Sequence, residues 1–164
     1  MVKASGVQIA DNVLTFFNDM KIAKNADQRV RLATFAFKGK CIDVEEVHTQ
    51  KDLDEKNLDG FEYFMSLLTP GKCHYILYDC HFKTKESPTK EELVFVMWCP
   101  EGSSVKEKLN HAASKEVLIK KLGGIKHNFQ INEIGDCADR NDFAEKLGKT
   151  VTHVEDVAVS YTVA

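Results

Sequence analysis

The sequence predicts an α/β (α+β) domain in which a mixed sheet carries helices on both faces. Three observations predict it. Segments of helical period are interleaved with strand-like segments along the whole chain, the pattern of packed mixed layers. Residues 93–98 (Leu-Val-Phe-Val-Met-Trp) are apolar without alternation, which suits a strand covered on both sides. No Pro/Gly/Ser linker and no internal repeat divides the 164 residues, so one domain over residues 1–164, large enough to bury a real core, is expected.

In chain order, Asp11 is placed to cap a helix. Val13, Phe16, Phe17 and Met20 then recur at i, i+3, i+4 and i+7 on one face. Residues 31–38 read as a strand, and Ile42-Asp43-Val44-Glu45 alternates strictly, so the second strand has one wet face. Gly39-Lys40 joins them as a hairpin turn. Residues 58–68 are helical in period through Leu58, Phe61, Phe64, Met65 and Leu68, and Pro70-Gly71 stops that helix. Residues 73–82 form a strand, and the charged, turn-rich residues 83–92 project as a hairpin before the apolar run at 93–98. Beyond Pro100, Ser103 or Ser104 caps a long helix to about Leu122, ended by Gly123-Gly124. A strand near 127–133, a short helix at 139–147 and a β-branched tail at 151–163 complete the reading.

Composition bounds the function. With 25 acidic and 22 basic side chains the net charge is −3, so bulk charge gives no pull toward nucleic acid or anionic membrane. No apolar run approaches the roughly 20 residues of a spanning helix. Residues 1–10 lack the apolar core of a secretory signal, so a cytosolic or nuclear protein is expected. Five widely spaced cysteines fit free thiols in a reducing compartment. No dinucleotide, phosphate-loop or nucleophile-elbow motif occurs, so no cofactor and no enzyme activity are expected. A metal site is not expected either. There is no C-x-x-C or H-x-x-x-H, Cys73 and Cys80 point to opposite faces of one strand, and His74 and Cys80 lie about 20 Å apart.

Three segments carry a resemblance to a known family. Ala4-Ser5-Gly6-Val7 with Phe17-Asn18-Asp19-Met20-Lys21 is the first. Tyr75-Ile76-Leu77-Tyr78-Asp79 with Thr84-Lys85-Glu86-Ser87 is the second. The third runs through residues 93–127, with V-F-V-M-W-C-P-E, V-K-E-K-L, A-A-S-K-E and G-I-K-H, and A-E-K-L-G at 144–148 closes the match. Together they resemble the actin-depolymerising factor (ADF)/cofilin family, most strongly its vertebrate cofilin and destrin members; residues 22–60 match weakly. The resemblance implies a mixed sheet of roughly five or six strands flanked by helices. It implies binding to actin monomers and filament sides, preferring ADP-bound subunits, with severing and depolymerisation and no covalent chemistry. Such a ligand works by differential binding, shifting the filament toward a twisted state. A monomeric, cytoplasmic, cytoskeletal protein is implied; a monomer-only binder on the same fold is the second reading, and a thiol-dependent enzyme a remote third.

The resemblance also assigns residues. Ser5, Gly6 and Val7 with Val105, Lys106, Lys108, Leu109 and Ala112 match the main actin surface. On a helical wheel Val105, Leu109 and Ala112 form one stripe, and Leu118 and Leu122 lie on a separate face. A stripe at this spacing is ordinarily core; the resemblance reverses that, placing the first in a groove on actin and the second against the sheet. Lys90, Glu145, Lys146 and Lys149 match the filament-side surface. Lys106, Lys108, Lys120, Lys121 and Lys126 are the implied phosphoinositide lysines. Ser5 matches a regulatory phosphorylation site, where added negative charge would oppose an acidic partner. His127 matches a pH-sensing histidine, with Glu92 in place of the family's aspartate.

The chain departs from the vertebrate pattern in three places. Val2 and Lys3 precede the A-S-G-V match. Residues 27–32 read D-Q-R-V-R-L where vertebrate relatives carry a basic nuclear signal, so import by that signal is not expected. Pro88-Thr89 makes the hairpin one residue longer and poorer in lysine.

Overall fold

The computed structural model describes residues 8–21, 26–137 and 139–159. Strand β1 (Gln8–Ile9) leads into helix α1 (Asp11–Lys21), so Asp11 opens the helix rather than preceding it. Strands β2 (Val30–Lys38) and β3 (Cys41–Thr49) form the expected hairpin across Gly39-Lys40, with Gly39 at φ 68°. Helices α2 (Gln50–Lys56) and α3 (Gly60–Ser66) follow. Strands β4 (His74–Thr84) and β5 (Lys90–Trp98) are longer than read from sequence, so only residues 85–89 are left as the hairpin tip. Helix α4 (Val105–Leu122), strand β6 (His127–Ile131) and helix α5 (Arg140–Leu147) come next. A tight hairpin of β7 (Val151–Val154) and β8 (Val157–Ala158) ends the described chain.

The sheet is mixed. Its main path runs β1-β3-β2-β4-β5-β6, and β7 pairs with the outer end of β4. The β1–β3 and β5–β6 pairs are parallel and the others antiparallel. Period-2 alternation in β4 and β5 feeds two separate cores. Ile76, Tyr78, Cys80, Val94, Val96 and Trp98 pack with α3 and α5. Tyr75, Leu77, Phe95, Met97 and Cys99 pack with Val13 and Phe17 of α1 and Leu118 and Leu122 of α4. This is why residues 93–98 are apolar without alternation: both faces are covered. No helix among the described residues is long and apolar enough to cross a membrane.

Local chemistry sets the junctions. Thr49 and Asp52 form a capping box at α2, and Asp59 and Glu62 form another at α3. In the β2–β3 ladder Val30 faces Thr49 and Leu32 faces His48, so Arg31 is an extra residue at a bulge. Its side chain is buried and meets Glu155 from the β7–β8 turn at 2.6 Å.

Candidate functional site

Ser104 caps α4, its hydroxyl accepting the Glu107 N–H at 3.1 Å. The sheet-facing residues of this helix are His111, Ser114, Leu118 and Leu122. None lies before His111, so the first turn and a half projects beyond the core. Val105 is 74% exposed there and Leu109 63%, one turn apart on one face. They are the two most exposed large apolar side chains among the described residues. Ala112 and Lys106 are also exposed, and Lys108 is half-buried, its Nζ reaching the Glu101 carbonyl at 3.3 Å. The structure thus separates the two stripes of α4 as the wheel divides them: Leu118 and Leu122 inward, Val105, Leu109 and Ala112 outward.

Ser5, Gly6 and Val7 lie outside the described residues. The first described residue, Gln8, donates its N–H to the Lys40 carbonyl at 2.9 Å. Gly39, beside it, lines a pocket of about 270 Å³ whose far wall is Ser104, Lys106, Glu107 and Asn110 of the α4 start. Gln8 therefore lies on the side of the β2–β3 turn that faces the projecting helix turn.

The five candidate phosphoinositide lysines divide. Lys106 and Lys108 sit at the start of α4, and Lys120 and Lys121 in its last turn. At 1.5 Å per residue the two groups are roughly 20 Å apart, too far for one headgroup to bridge. Lys126 instead pairs with Glu92 at 3.1 Å.

The candidate filament-side residues come from two chain segments that the fold joins. Thr84 and Ser87 close the hairpin tip, Thr84 N–H donating to the Ser87 carbonyl at 2.8 Å. Lys85 N–H then donates to the Thr150 carbonyl at 2.9 Å, which ties the tip to the turn after α5. Glu145, Lys146 and Lys149 are exposed on α5 and that turn, and Lys146 lies 5.9 Å from the Phe129 ring. Lys90, at the start of β5, is 3.8 Å from Glu92.

Glu92 is the hub of a small charged cluster. His127 Nε2 is 2.8 Å from its Oε1, and Lys126 and Lys90 approach Oε2. Burial opposes the charge on Glu92, but hydrogen bonds from His127 and Lys126 and the Lys126 charge outweigh it, lowering its pKa. A carboxylate held below its unfolded value of about 4.3 stabilises the fold above that pH and loses this contribution as pH falls through the folded pKa. Glu92→Gln is therefore expected to lose up to about 1 kcal/mol at neutral pH and little at a pH below the lowered folded pKa. Urea unfolding at the two pH values checks this; an equal loss at both would count against the assignment.

One convergence has no counterpart in the sequence reading. Cys73, Cys99 and His111 bring their ligand atoms within 4.8 Å of one another in the core under α4. Cys80 lies in the opposite core, as its spacing from Cys73 predicts. The residues are 26 and 12 apart in sequence, read from their numbers, and no motif of that form signals a site. Only the joint placement of β4, β5 and α4 brings them together.

Comparison with known proteins matches this geometry. A family described as cofilin/tropomyosin-type actin-binding protein matches residues 6–148. Actin depolymerization factor 2 of Plasmodium berghei is 27% identical with a TM-score of 0.67, covering 83% of this chain and 92% of that one. The solution structure of ADF from Toxoplasma gondii is 30% identical with a TM-score of 0.54, over 82% of this chain and 96% of that one. Cofilin of Streptomyces griseoflavus, 23% identical with a TM-score of 0.68 over 86% and 98%, shows the same fold. The family match and the shared fold define an ADF/cofilin-type actin-binding domain. The chain belongs to the ADF/cofilin family.

Proposed function

We propose that the protein binds actin monomers and filament sides, prefers ADP-bound subunits, and severs and depolymerises filaments, acting as a monomer in the cytoplasm without a cofactor or covalent chemistry. The observation that carries this reading is the projecting start of α4. Val105 and Leu109 expose an apolar pair that the fold does not use, flanked by Lys106 and Lys108. An apolar ridge entering a groove, with lysines steering toward an acidic partner, is helix-in-groove recognition. Ser5, Gly6 and Val7 complete the surface in this reading. Phosphorylation of Ser5 adds negative charge there and weakens binding.

Filament binding rests on the second surface. The hairpin tip and the α5 turn are hydrogen bonded to each other through Lys85 and Thr150, which supports reading Lys90, Glu145, Lys146 and Lys149 as parts of one surface. The longer, lysine-poor tip at Pro88-Thr89 favours a weaker filament contact than in vertebrate relatives, with the monomer-only reading as its limit. His127 against Glu92 is the proposed pH-responsive contact of this end. For phosphoinositides, the separation of the lysines favours a charged membrane surface contacted along α4 over a single headgroup.

Co-sedimentation with actin filaments tests the proposal. The wild-type protein is expected in the pellet at mildly acidic or mildly alkaline pH; a protein that stays in the supernatant at both is a monomer-only binder. Replacing Lys90, Lys146 and Lys149 together with alanine is expected to weaken pelleting by about 10-fold, as loss of several exposed contacts worth up to about 1 kcal/mol each implies. Monomer binding, read by fluorescence of labelled actin, should be unchanged.

A further inference from the structure

We propose that Cys73, Cys99 and His111 form a zinc site beneath helix α4. The three side chains are 1%, 3% and 2% exposed, and their ligand atoms lie within 4.8 Å of one another. The strands place the thiols. His74 faces Trp98 in the β4–β5 ladder, so Cys73 and Cys99, one residue further out on each strand, are cross-strand neighbours on the α4 side of the sheet. The helix supplies the imidazole. His111 is the first residue of α4 to reach the core, and Phe37 and Tyr75 hold its ring, with centroids at 4.8 and 5.1 Å. The Tyr75 hydroxyl fixes the same turn by donating to the His111 carbonyl at 2.7 Å.

The tautomer is the decisive detail. His111 Nδ1 lies 2.8 Å from the Glu107 carbonyl, which can only accept, so Nδ1 carries the proton. Nε2 therefore presents a lone pair. That atom is buried and has no hydrogen-bond partner, an arrangement a folded core rarely leaves unmatched. An imidazole whose outer N–H is donated to a backbone carbonyl is the usual form of a metal-bound histidine. Glu107 also accepts the Cys73 N–H at 2.8 Å, so one helix turn steadies two of the three ligands.

The charge balance and the geometry select the ion. Two thiolates and a neutral imidazole make a formally neutral site with a divalent cation, which suits burial, and this donor set favours zinc. Zn–S bonds of about 2.3 Å and a Zn–N bond of about 2.0 Å put tetrahedral ligand atoms roughly 3.5–3.8 Å apart, so the cluster closes by about an ångström. Binding releases the two thiol protons to solvent. The fourth position falls to a water from the pocket of about 270 Å³, which Cys73, Glu107 and His111 line together with Lys72 and Lys106. Neither thiol of this pair has a metal spacing in sequence, and Cys41 and Cys80 take no part.

The test uses the reduced, full-length protein and zinc or cobalt(II) alone, with no actin, so its failure leaves the actin reading untouched. Zinc is expected to bind one per chain and to slow alkylation of Cys73 and Cys99 by about 10-fold or more, with Cys41 unaffected, by mass-spectrometric mapping. Cobalt(II) should give the visible bands of a tetrahedral site and a near-ultraviolet thiolate band. Cys99→Ser and His111→Gln should weaken zinc by at least about 100-fold, beyond the roughly 10- to 100-fold cost of losing an outer-shell partner. No protection of Cys73 and Cys99 in the wild-type protein overturns the proposal without recourse to any variant. So does cobalt binding that survives Cys99→Ser in a protein with an unchanged circular dichroism spectrum. Uptake of copper(I) from a chelator buffer with no uptake of zinc overturns the choice of ion.

Discussion

Glu155→Ala is expected to cost about 3–5 kcal/mol of folding stability, the penalty for leaving a buried charge without its partner. The Arg31 and Glu155 side chains are 3% and 6% exposed. Arg31 Nη2 donates to both Glu155 oxygens at 2.6 Å, Tyr78 donates its hydroxyl to the same carboxylate at 2.6 Å, and His81 its N–H at 3.1 Å. The guanidinium is further held by the Asp79 carbonyl at 3.1 Å and Gln50 Oε1 at 2.7 Å. Burial opposes its charge, but the Glu155 charge and hydrogen bond outweigh that and raise its pKa. Removing the carboxylate strands the guanidinium, a phenol and an amide together. The turn itself is not the cause. Glu155 and Asp156 have φ of 53° and 66°, and alanine carries the same left-handed strain as glutamate there. Gly60 supplies an independent check. A Cβ at that position would sit 2.6 Å from Arg31 Nη2 and 2.7 Å from the Glu155 carboxylate, so Gly60→Ala should destabilise by separating the pair. Urea unfolding at neutral pH reads both, and a loss under about 1 kcal/mol for Glu155→Ala would show that the pair does not hold the β7–β8 hairpin to the sheet.

Leu109→Glu should have the opposite profile: folding unchanged within about 0.5 kcal/mol and actin affinity reduced by about 30-fold or more. Leu109 is 63% exposed and contributes to neither core cluster, so a polar replacement costs the fold little. At a binding surface the same residue would be desolvated at the centre of the contact, with Val105 beside it, and a buried unpaired carboxylate is costly there. Labelled-actin titration and thermal unfolding measure the two sides. Unchanged affinity with an unchanged fold would remove the start of α4 from the actin surface and leave the proposed function without its main support.

Much of this was legible in the sequence because periodicity reports burial. The apolar run at residues 93–98 indicated a strand covered on both faces, and Val94, Val96 and Trp98 do pack in one core while Phe95 and Met97 pack in the other. The two stripes of α4 were separable on a wheel, but their roles were not. Periodicity alone assigns an apolar stripe to the core, and only the resemblance turned Val105 and Leu109 outward. Helix α2 was missed because Q-K-D-L-D-E-K buries a single side chain, Leu53, and so has no period. The available signal was the Thr49–Asp52 cap. Strand β1 is two residues, shorter than any pattern can register, and the β-branched tail read as one last strand over 151–163 is instead the β7–β8 hairpin as far as it is described, residues 160–163 lying outside the described ones.

By itself, then, the sequence determined the class of fold, the order of its main elements and the family, since each depends on local pattern or on ordered similarity along the chain. Tertiary structure alone decided which groups meet. Arg31 finds Glu155 across 124 residues through a bulge and a terminal hairpin. The hairpin tip finds the α5 turn through the β4–β7 pairing and the Lys85–Thr150 hydrogen bond. Cys73, Cys99 and His111 meet because two strands align and one helix lies across them. Such contacts depend on register and crossing geometry, to which residue spacing along the chain is blind.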